Sequence, residues 1–484
     1  MARLVRYAPQ SVMIPPQIAA RRGDLLRNAV DTYPADQAID GGYALFHDVF
    51  RTVGDDKIIA LGSGWRDAAL TPIFGDDLVI ADWRAHSYAP MKDDLTPRGV
   101  FHNGQALKMS YRSLYGLQSS RKKQIYAPVA GIYEIEMTDA LKRQPRAEIE
   151  FVWNDFKAAL SVPRNPFAER ARADLTLQAS QRGNHPLWVS DWCRYHYYEH
   201  QITRIAIYDN LDAASDEIFE ALKGLPDGLE VIYIDWPYRY NYEVYFNQAQ
   251  VISLNHCPLI LGATGDYYIN LDFDEYLVNR SGAALARALD AQMAGRFGQA
   301  HAVALRQCPV PNFSAAPAAK AKADRVARVW DFERALYKTY STAPKTIHKY
   351  GRFECVWQHS ATPLWPARLK FLLRFRLARA ALENLGAILP FIRYTRPQRG
   401  GAFLSLARRA LSRGARTPLL NRVARPLLER FDRRALIFPD LFFYHYAALG
   451  SNWNKRRGGK SDSIDAATFI PMAHRISKSQ IYKD

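Results

Sequence analysis

At 484 residues the chain exceeds the length of one ordinary domain, which points to two or three. With 48% hydrophobic and 12% aromatic residues it can bury large cores, and this composition excludes wholesale disorder. The net charge of +17 is concentrated: residues 364–436 hold 17 Lys and Arg against 3 acids, whereas residues 1–363 balance at 41 and 41.

Residues 1–40 read as an irregular segment, broken by Pro9, Pro15, Pro16 and Pro34. Residues 41–165 alternate short apolar runs with turn signals: Lys57–Leu61 before Gly62-Ser63-Gly64, Asp77–Ile80 after Gly75-Asp76, and the alternating Ile132-Tyr133-Glu134-Ile135-Glu136. This spacing predicts a β-rich accessory domain that carries no catalytic constellation. Pro163-Arg164-Asn165-Pro166 marks its boundary.

From there to residue 363 strands and helices alternate. Strands are predicted at Asp174–Ala179, Arg204–Tyr208, Leu229–Ile234, Tyr267–Leu271 and His301–Arg306, with helices at Trp188–His200, Ser215–Leu222 and Tyr242–Asn255. Such alternation implies βαβ units, hence an α/β fold with a mainly parallel sheet flanked by helices. Asp209-Asn210 and Asp272-Phe273-Asp274 then end two strands on one sheet edge, where open α/β sheets bind ligands. Neither G-x-x-x-x-G-K-[ST] nor G-x-G-x-x-G occurs, which argues against P-loop and dinucleotide-binding chemistry.

The acidic turn carries the chemistry. Ile269-Asn270-Leu271 runs into Asp272, Asp274 and Glu275, three carboxylates that repel one another and lose hydration. Mg²⁺ or Mn²⁺ resolves that conflict and can also hold phosphate oxygens. A D-x-D triplet arises by chance in a chain this long, so its neighbours must carry the reading.

Those neighbours stand in order: Trp188-x-x-x-Trp192-x-x-Tyr195-His196, Ile207-Tyr208-Asp209-Asn210, Gln248 with Asn255-His256-Cys257, and Leu271-Asp272-x-Asp274-Glu275-Tyr276. Pro344-Lys345-Thr346-Ile347 with His359 follows, then His445-Tyr446 with Ser451 and Lys455. Together they resemble the glycosyltransferase family 92 and family 2-like group, over about 170–360 and 440–460. That resemblance implies a GT-A fold and metal-assisted, inverting transfer of a sugar from a nucleoside-diphosphate donor to a glycan or lipid-linked acceptor. It assigns Asp209 to the base, with Asn210 beside it. Asp272 is directed toward ribose, sugar or metal, Asp274 is the principal metal ligand, and His445 closes the metal site. Lys455 would neutralise the diphosphate. One departure is the long basic stretch that precedes the His-Tyr element.

Gln248 and Asn255, two helical turns apart, either face donor hydroxyls or satisfy buried backbone. For a catalytic base the candidates are Asp331 and Glu333, with an ion pair to Arg334 as the alternative. In 364–436, Leu369, Leu372, Leu373, Leu377 and Ala380 recur at helical spacing between arginines. This predicts a basic amphipathic helical insertion that lies on an anionic membrane or forms a solvated face. Nucleic-acid binding is a third reading, without a recognised motif to accompany the charge. Residues 437–484 are expected to close the catalytic domain.

The rival functions are a nucleotidyltransferase with an acidic metal site and a non-enzymatic docking protein acting through 364–436. Cys193, Cys257, Cys308 and Cys355 lie far apart without zinc-ligand spacing, as structural thiols of a reducing compartment do. Met1–Arg6 lacks an apolar signal core, and no window approaches 18 apolar residues, so a cytoplasmic protein is expected, with the basic segment offering peripheral membrane contact.

Overall fold

The computed structural model describes residues 2–13, 15, 44–64, 97–113, 129–211, 213–238, 248–293, 302–310, 326, 328–332, 334–336, 340–356, 361–363, 436–446, 469–471 and 476–482. The basic segment up to residue 435, Glu333, His359, Lys455 and the side chain of Gln248 lie outside them.

The first residues, expected to be irregular, supply a strand instead. β1 (Arg3–Tyr7) alternates cleanly, with Ala2 and Leu4 against one core and Val5 and Tyr7 against another. The prolines interrupt the chain only after this strand is complete. Two antiparallel sheets follow. β2 (Val12–Met13), β3 (Ala44–Arg51), β4 (Lys57–Gly64), β7 (Met109–Ser113) and β8 (Val129–Glu136) form one; β5 (Gly99–His102), β6 (Gln105–Leu107), β9 (Arg146–Val152) and β10 (Lys157–Pro163) form the other. Phe46, Tyr133, Phe151 and Trp153 cluster at their centre. The short helix α1 (Asp139–Arg143) connects β8 to β9 and is capped by Thr138, whose hydroxyl accepts from Leu141 N.

The rest is an alternating unit. In chain order it runs β11 (Ala173–Gln181), α2 (Pro186–His200), β12 (Arg204–Asp209), α3 (Ser215–Lys223), β13 (Glu230–Asp235), α4 (Gln248–Leu261), β14 (Gly265–Asn270), β15 (Glu275–Asn279), α5 (Leu285–Met293) and β16 (Ala302–Val310). There follow β17 (Arg334–Leu336), β18 (Tyr340–Lys349), β19 (Phe353–Val356), β20 (Ala361–Pro363), β21 (Leu436–Tyr446), β22 (Phe469–Pro471) and α6 (Lys478–Ile481). Among the described residues nine strands join one sheet in the order β1-β13-β12-β11-β14-β18-β16-β21-β15. From β1 to β14 every pairing is parallel; β14–β18, β18–β16 and β21–β15 are antiparallel, and β16–β21 is parallel again. The chain is therefore mixed α/β. No described helix is long and apolar enough to cross a membrane.

Two cores hold the layers together. On one face of the sheet α2 and α3 bury Trp192, Tyr195, Ile218 and Leu222 against Leu177, Ile205 and Val231. On the other, α4 is sandwiched: Ile252 and Ile260 share a core with Ile232 and Tyr268 of the sheet and with Phe50, Ile59 and Ile132 of the N-terminal strands. β3 is buried along almost its whole length because it serves both this core and its own. Polar contacts fix the register between the units. Fully buried Asp48 accepts from Tyr7 Oη at 2.8 Å and Gln10 N at 2.7 Å, and lies 2.7 Å from His256 Nε2. His256 Nδ1 in turn lies 2.6 Å from Tyr208 Oη. Asn165 donates to Arg51 O and Ile260 O at 2.9 and 2.7 Å. Cys193, Cys257 and Cys308 are buried free thiols, and burial pushes all three up from the usual thiol range.

Candidate active site

The parallel strands deliver polar residues to one edge. Register aligns Gln181, Asp209 and Asp235 at the carboxyl ends of β11, β12 and β13, and β14 reaches the same edge before the turn Leu271–Asp274. Leu271 N still bonds Gln178 O at 3.0 Å, so the ladder holds the chain until one residue before Asp272.

The sheet then has to curl. A flat sheet would put β14 and β15 about 19 Å apart across four strand spacings. Yet Asn270 and Glu275 are separated by a four-residue turn, and Lys345 from β18 touches Glu275 from β15 across the intervening strands. The curl gathers Lys345 (β18), Gln307 (β16), His445 (β21) and Glu275 (β15) around the acidic turn.

Within that turn each charge has a defined neighbour. Glu275 N donates to Asp272 O at 2.9 Å, and Asp272 N donates to Glu275 Oε2 at 2.8 Å, closing the turn reciprocally. Lys345 Nζ sits 3.0 Å from Asp272 Oδ2 and 2.9 Å from Glu275 Oε2. His445, the cross-strand partner of Glu275, places Nε2 at 3.3 Å from Asp274 Oδ2. Gln307 Nε2 lies 2.5 Å from the other ring nitrogen. The Lys345 and Glu275 side chains are 4% and 6% exposed, whereas that of Asp272 is 45% exposed: a buried pair supports a carboxylate that faces outward.

The electrostatics follow. Burial pushes Glu275 up to about 7 against the pull of Lys345, with Asp272 and Asp274 adding to the rise. Burial works against the charge on Lys345, but the two carboxylates hold it protonated, above the usual lysine range. For His445 burial is likewise opposed, here by the hydrogen bond and field of Asp274, which raise it to about 9. With both ring N–H groups then donating, the Gln307 side chain would present its amide oxygen to Nδ1.

The backbone that carries Glu275 is held from outside. Among the described residues β15 is the last strand of the sheet, and edge strands leave a row of unpaired groups. Tyr446 N bonds Asp274 O at 2.7 Å, so the antiparallel alternation turns the backbone of Glu275 and Leu277 away from β21. Helix α2 fills the role of the missing strand with side chains. Trp192 Nε1 donates to Glu275 O at 2.8 Å, and Tyr195 Oη to Leu277 O at 2.7 Å. His200 Nε2 lies 2.7 Å from that same carbonyl, and Leu277 N donates to His196 Nε2 at 3.3 Å. Positions 192, 195, 196 and 200 share one helical face, which is the physical content of the aromatic motif read in the sequence.

The remaining candidates are placed as follows. Asp209 is fully buried; its Oδ1 accepts from Leu211 N at 3.3 Å and Ser215 Oγ at 2.9 Å, tying the strand end to the start of α3. Asn210 donates to Trp236 O and Tyr238 O at 2.9 and 2.6 Å and accepts from Arg182 at 3.1 Å. Both stand at the expected edge, with these groups engaged in shaping it. Asn255 donates to Val251 O and Val356 O and accepts from Val356 N, so of its two readings the geometry selects satisfaction of buried backbone. Asp331, one of the two candidates for the base, closes a 3₁₀ turn, accepting from Arg328 N at 2.8 Å, and is 8% exposed. That turn is anchored to α2 through the two-pronged ion pair of Arg328 with Asp191.

Lys345 lies in the Pro344–Ile347 motif without a role that the motif assigns. The sequence does carry a signal for it, since it is the one charged residue between Tyr340 and Ile347; the structure adds that Lys345, Thr346, Ile347 and His348 are all buried. Gln307 had no such signal.

Two ligand atoms at right angles on an octahedral Mg²⁺-sized cation lie about 3.0 Å apart, given bonds near 2.1 Å. The Asp274–His445 pair, 3.3 Å apart, is an ion pair as it stands and offers that oxygen and nitrogen donor set once the imidazole gives up its Nε2 proton to an arriving cation. Among the described residues no cluster of three or more His, Cys, Asp or Glu is arranged for a metal. No protein-family model matches the chain, and a search of curated proteins finds no match.

Proposed function

We propose that the protein is a metal-dependent glycosyltransferase that moves a sugar from a nucleoside-diphosphate-sugar to a hydroxyl of a glycan or lipid-linked acceptor. The observation that carries this reading is the pairing of Asp274 with His445, 171 positions apart in the chain, beside the exposed Asp272 at the carboxyl edge of the parallel strands. The strand order β13-β12-β11-β14 followed by an antiparallel β18 supports a GT-A-like arrangement, in which a nucleotide spans the β12 and β14 ends.

Asp274 and His445 would hold Mn²⁺ or Mg²⁺, which when bound supplies a positive charge for the departing diphosphate. Asp272, outward-facing and steadied by Lys345, orients the donor by accepting from its hydroxyls. Glu275 keeps the turn closed through Asp272 N. Asp209 and Asn210 shape the β12 end of the same sheet edge, on the side toward which the base of the donor would extend.

The test is release of nucleoside diphosphate from a panel of nucleotide sugars with Mn²⁺. Activity in the wild type, and its loss by at least 100-fold in Asp274→Asn with an unchanged circular dichroism spectrum, is the expected outcome. Release of pyrophosphate from a nucleoside triphosphate, with no nucleotide-sugar turnover, would instead identify a nucleotidyltransferase and overturn the proposal.

A further inference from the structure

The two acids of the D-x-D pair have different partners. Asp274 Oδ2 faces the His445 imidazole at 3.3 Å; Asp272 Oδ2 faces the Lys345 ammonium at 3.0 Å, and the same ammonium is 2.9 Å from Glu275 Oε2. Lys345 is 3% exposed and cannot swing into solvent without unpacking β18. It is also the cation that allows Glu275 to be buried 2.8 Å from the Asp272 amide, since a buried carboxylate without a partner is strongly unfavourable.

A fixed cation in that position has a second consequence. A divalent ion bound to Asp272 Oδ2 or to Glu275 Oε2 would stand within a few ångströms of the ammonium, and the like charges repel. Resting on the metal reading proposed above, we infer that Lys345 is a positioning residue that bars divalent cations from the Asp272–Glu275 half of the turn and confines them to Asp274 and His445. Asp272 is thereby reserved for the donor. The unequal duties that the resemblance implies for the two acids are then enforced by a residue 71 positions downstream of the second of them.

Mn²⁺ binding by the full-length protein, read from the electron paramagnetic resonance signal of the free ion without nucleotide, tests this directly. Lys345→Met should bind Mn²⁺ about tenfold or more tightly than the wild type, or take up a second ion, because Asp272 and Glu275 become available as ligands. Lys345→Arg, which keeps the charge, should bind as the wild type does. A folded Lys345→Met variant with unchanged or weaker Mn²⁺ affinity overturns the inference. Should that variant fail to fold, Lys345→Met combined with Glu275→Gln, which removes both buried charges together, should bind Mn²⁺ more tightly than Glu275→Gln alone, and equal affinity would overturn the inference. In the wild-type background Asp272→Asn should leave Mn²⁺ affinity within about twofold while Asp274→Asn removes it. Equal losses in the two would overturn the inference but leave the metal reading standing, whereas no Mn²⁺ binding by the wild type would sink both.

Discussion

Replacing His196 by Phe should change stability in a way that depends on pH, and the size of the effect follows from the ring's two contacts. Nδ1–H donates to Trp192 O at 2.8 Å, which leaves Nε2 bare to accept from Leu277 N. Burial drives this histidine well below its ordinary value, nearby His200 adds to the fall, and the Trp192 carbonyl opposes it. The unfolded chain takes up a proton near pH 6.5 and the folded chain does not. A group depressed in this way contributes stability that is present above pH 6.5 and lost as the pH falls. At pH 5.0 the loss is at most RT ln(1 + 10^1.5), about 2 kcal/mol, reached when the folded ring stays neutral. His196→Phe abolishes this titration but strands the Leu277 amide without its acceptor, which costs about 1–3 kcal/mol. The variant should therefore be less stable than the wild type by about 1–3 kcal/mol at pH 7, and within about 1 kcal/mol of it at pH 5. Buried His47, lowered to about 3 by burial and by His256, weakens both proteins equally in acid and cancels in the difference. Urea midpoints followed by tryptophan fluorescence at the two pH values measure the gap. A gap that stays constant or widens at pH 5 refutes the assigned tautomer and the role of the ring as acceptor.

Trp192→Phe removes the donor to Glu275 O while keeping most of the ring packing against Phe273. It should lower stability by about 1–3 kcal/mol and, by loosening the strand that carries Glu275, depress nucleotide-sugar turnover more than donor binding. A kcat equal to wild type with the same loss of stability would show that the edge contact does not reach the chemistry. Asp48→Ala takes away the carboxylate shared by Tyr7, Gln10 and His256, and should cost about 3–5 kcal/mol because those buried donors are left facing each other. Proteolysis of the native protein should then cut the segment after β1 faster; an unchanged rate would mean that β1 is held by its ladder to β13 alone.

Much of the architecture was legible because apolar runs and their interruptions are local. β12 and β13 fall within a residue or two of the predicted strands, as does α3 for its helix, since each is bounded by a turn residue that the eye can find: Asp209-Asn210, Gly224, Pro237. The acidic turn was legible for a different reason. Three carboxylates after an apolar run create an electrostatic problem that the chain must solve somewhere. Its solution was not legible, because the compensating charges come from β18 and β21 and meet the turn only through the curl of the sheet. The same holds for Asp331, where an acid near a strand suggested chemistry and a three-residue turn used the carboxylate as a cap.

The aromatic motif of α2 shows what kind of information a pattern holds before its geometry is known. Trp192, Tyr195, His196 and His200 look like core residues by period, and they are buried. Core packing alone would ask only for apolar volume, and Leu or Phe would fill it as well. What these four share is a polar atom at the far end of a large ring, and that is the requirement for reaching an exposed strand edge from a helix. At β15 that edge is taken by the side chains of α2. Capping the edge with side chains satisfies Glu275 and Leu277 while leaving Asp272 open to solvent. The polar aromatics of α2 are therefore bound to the exposure of the acidic turn, and substitutions that preserve only their volume should disturb the site before they disturb the core.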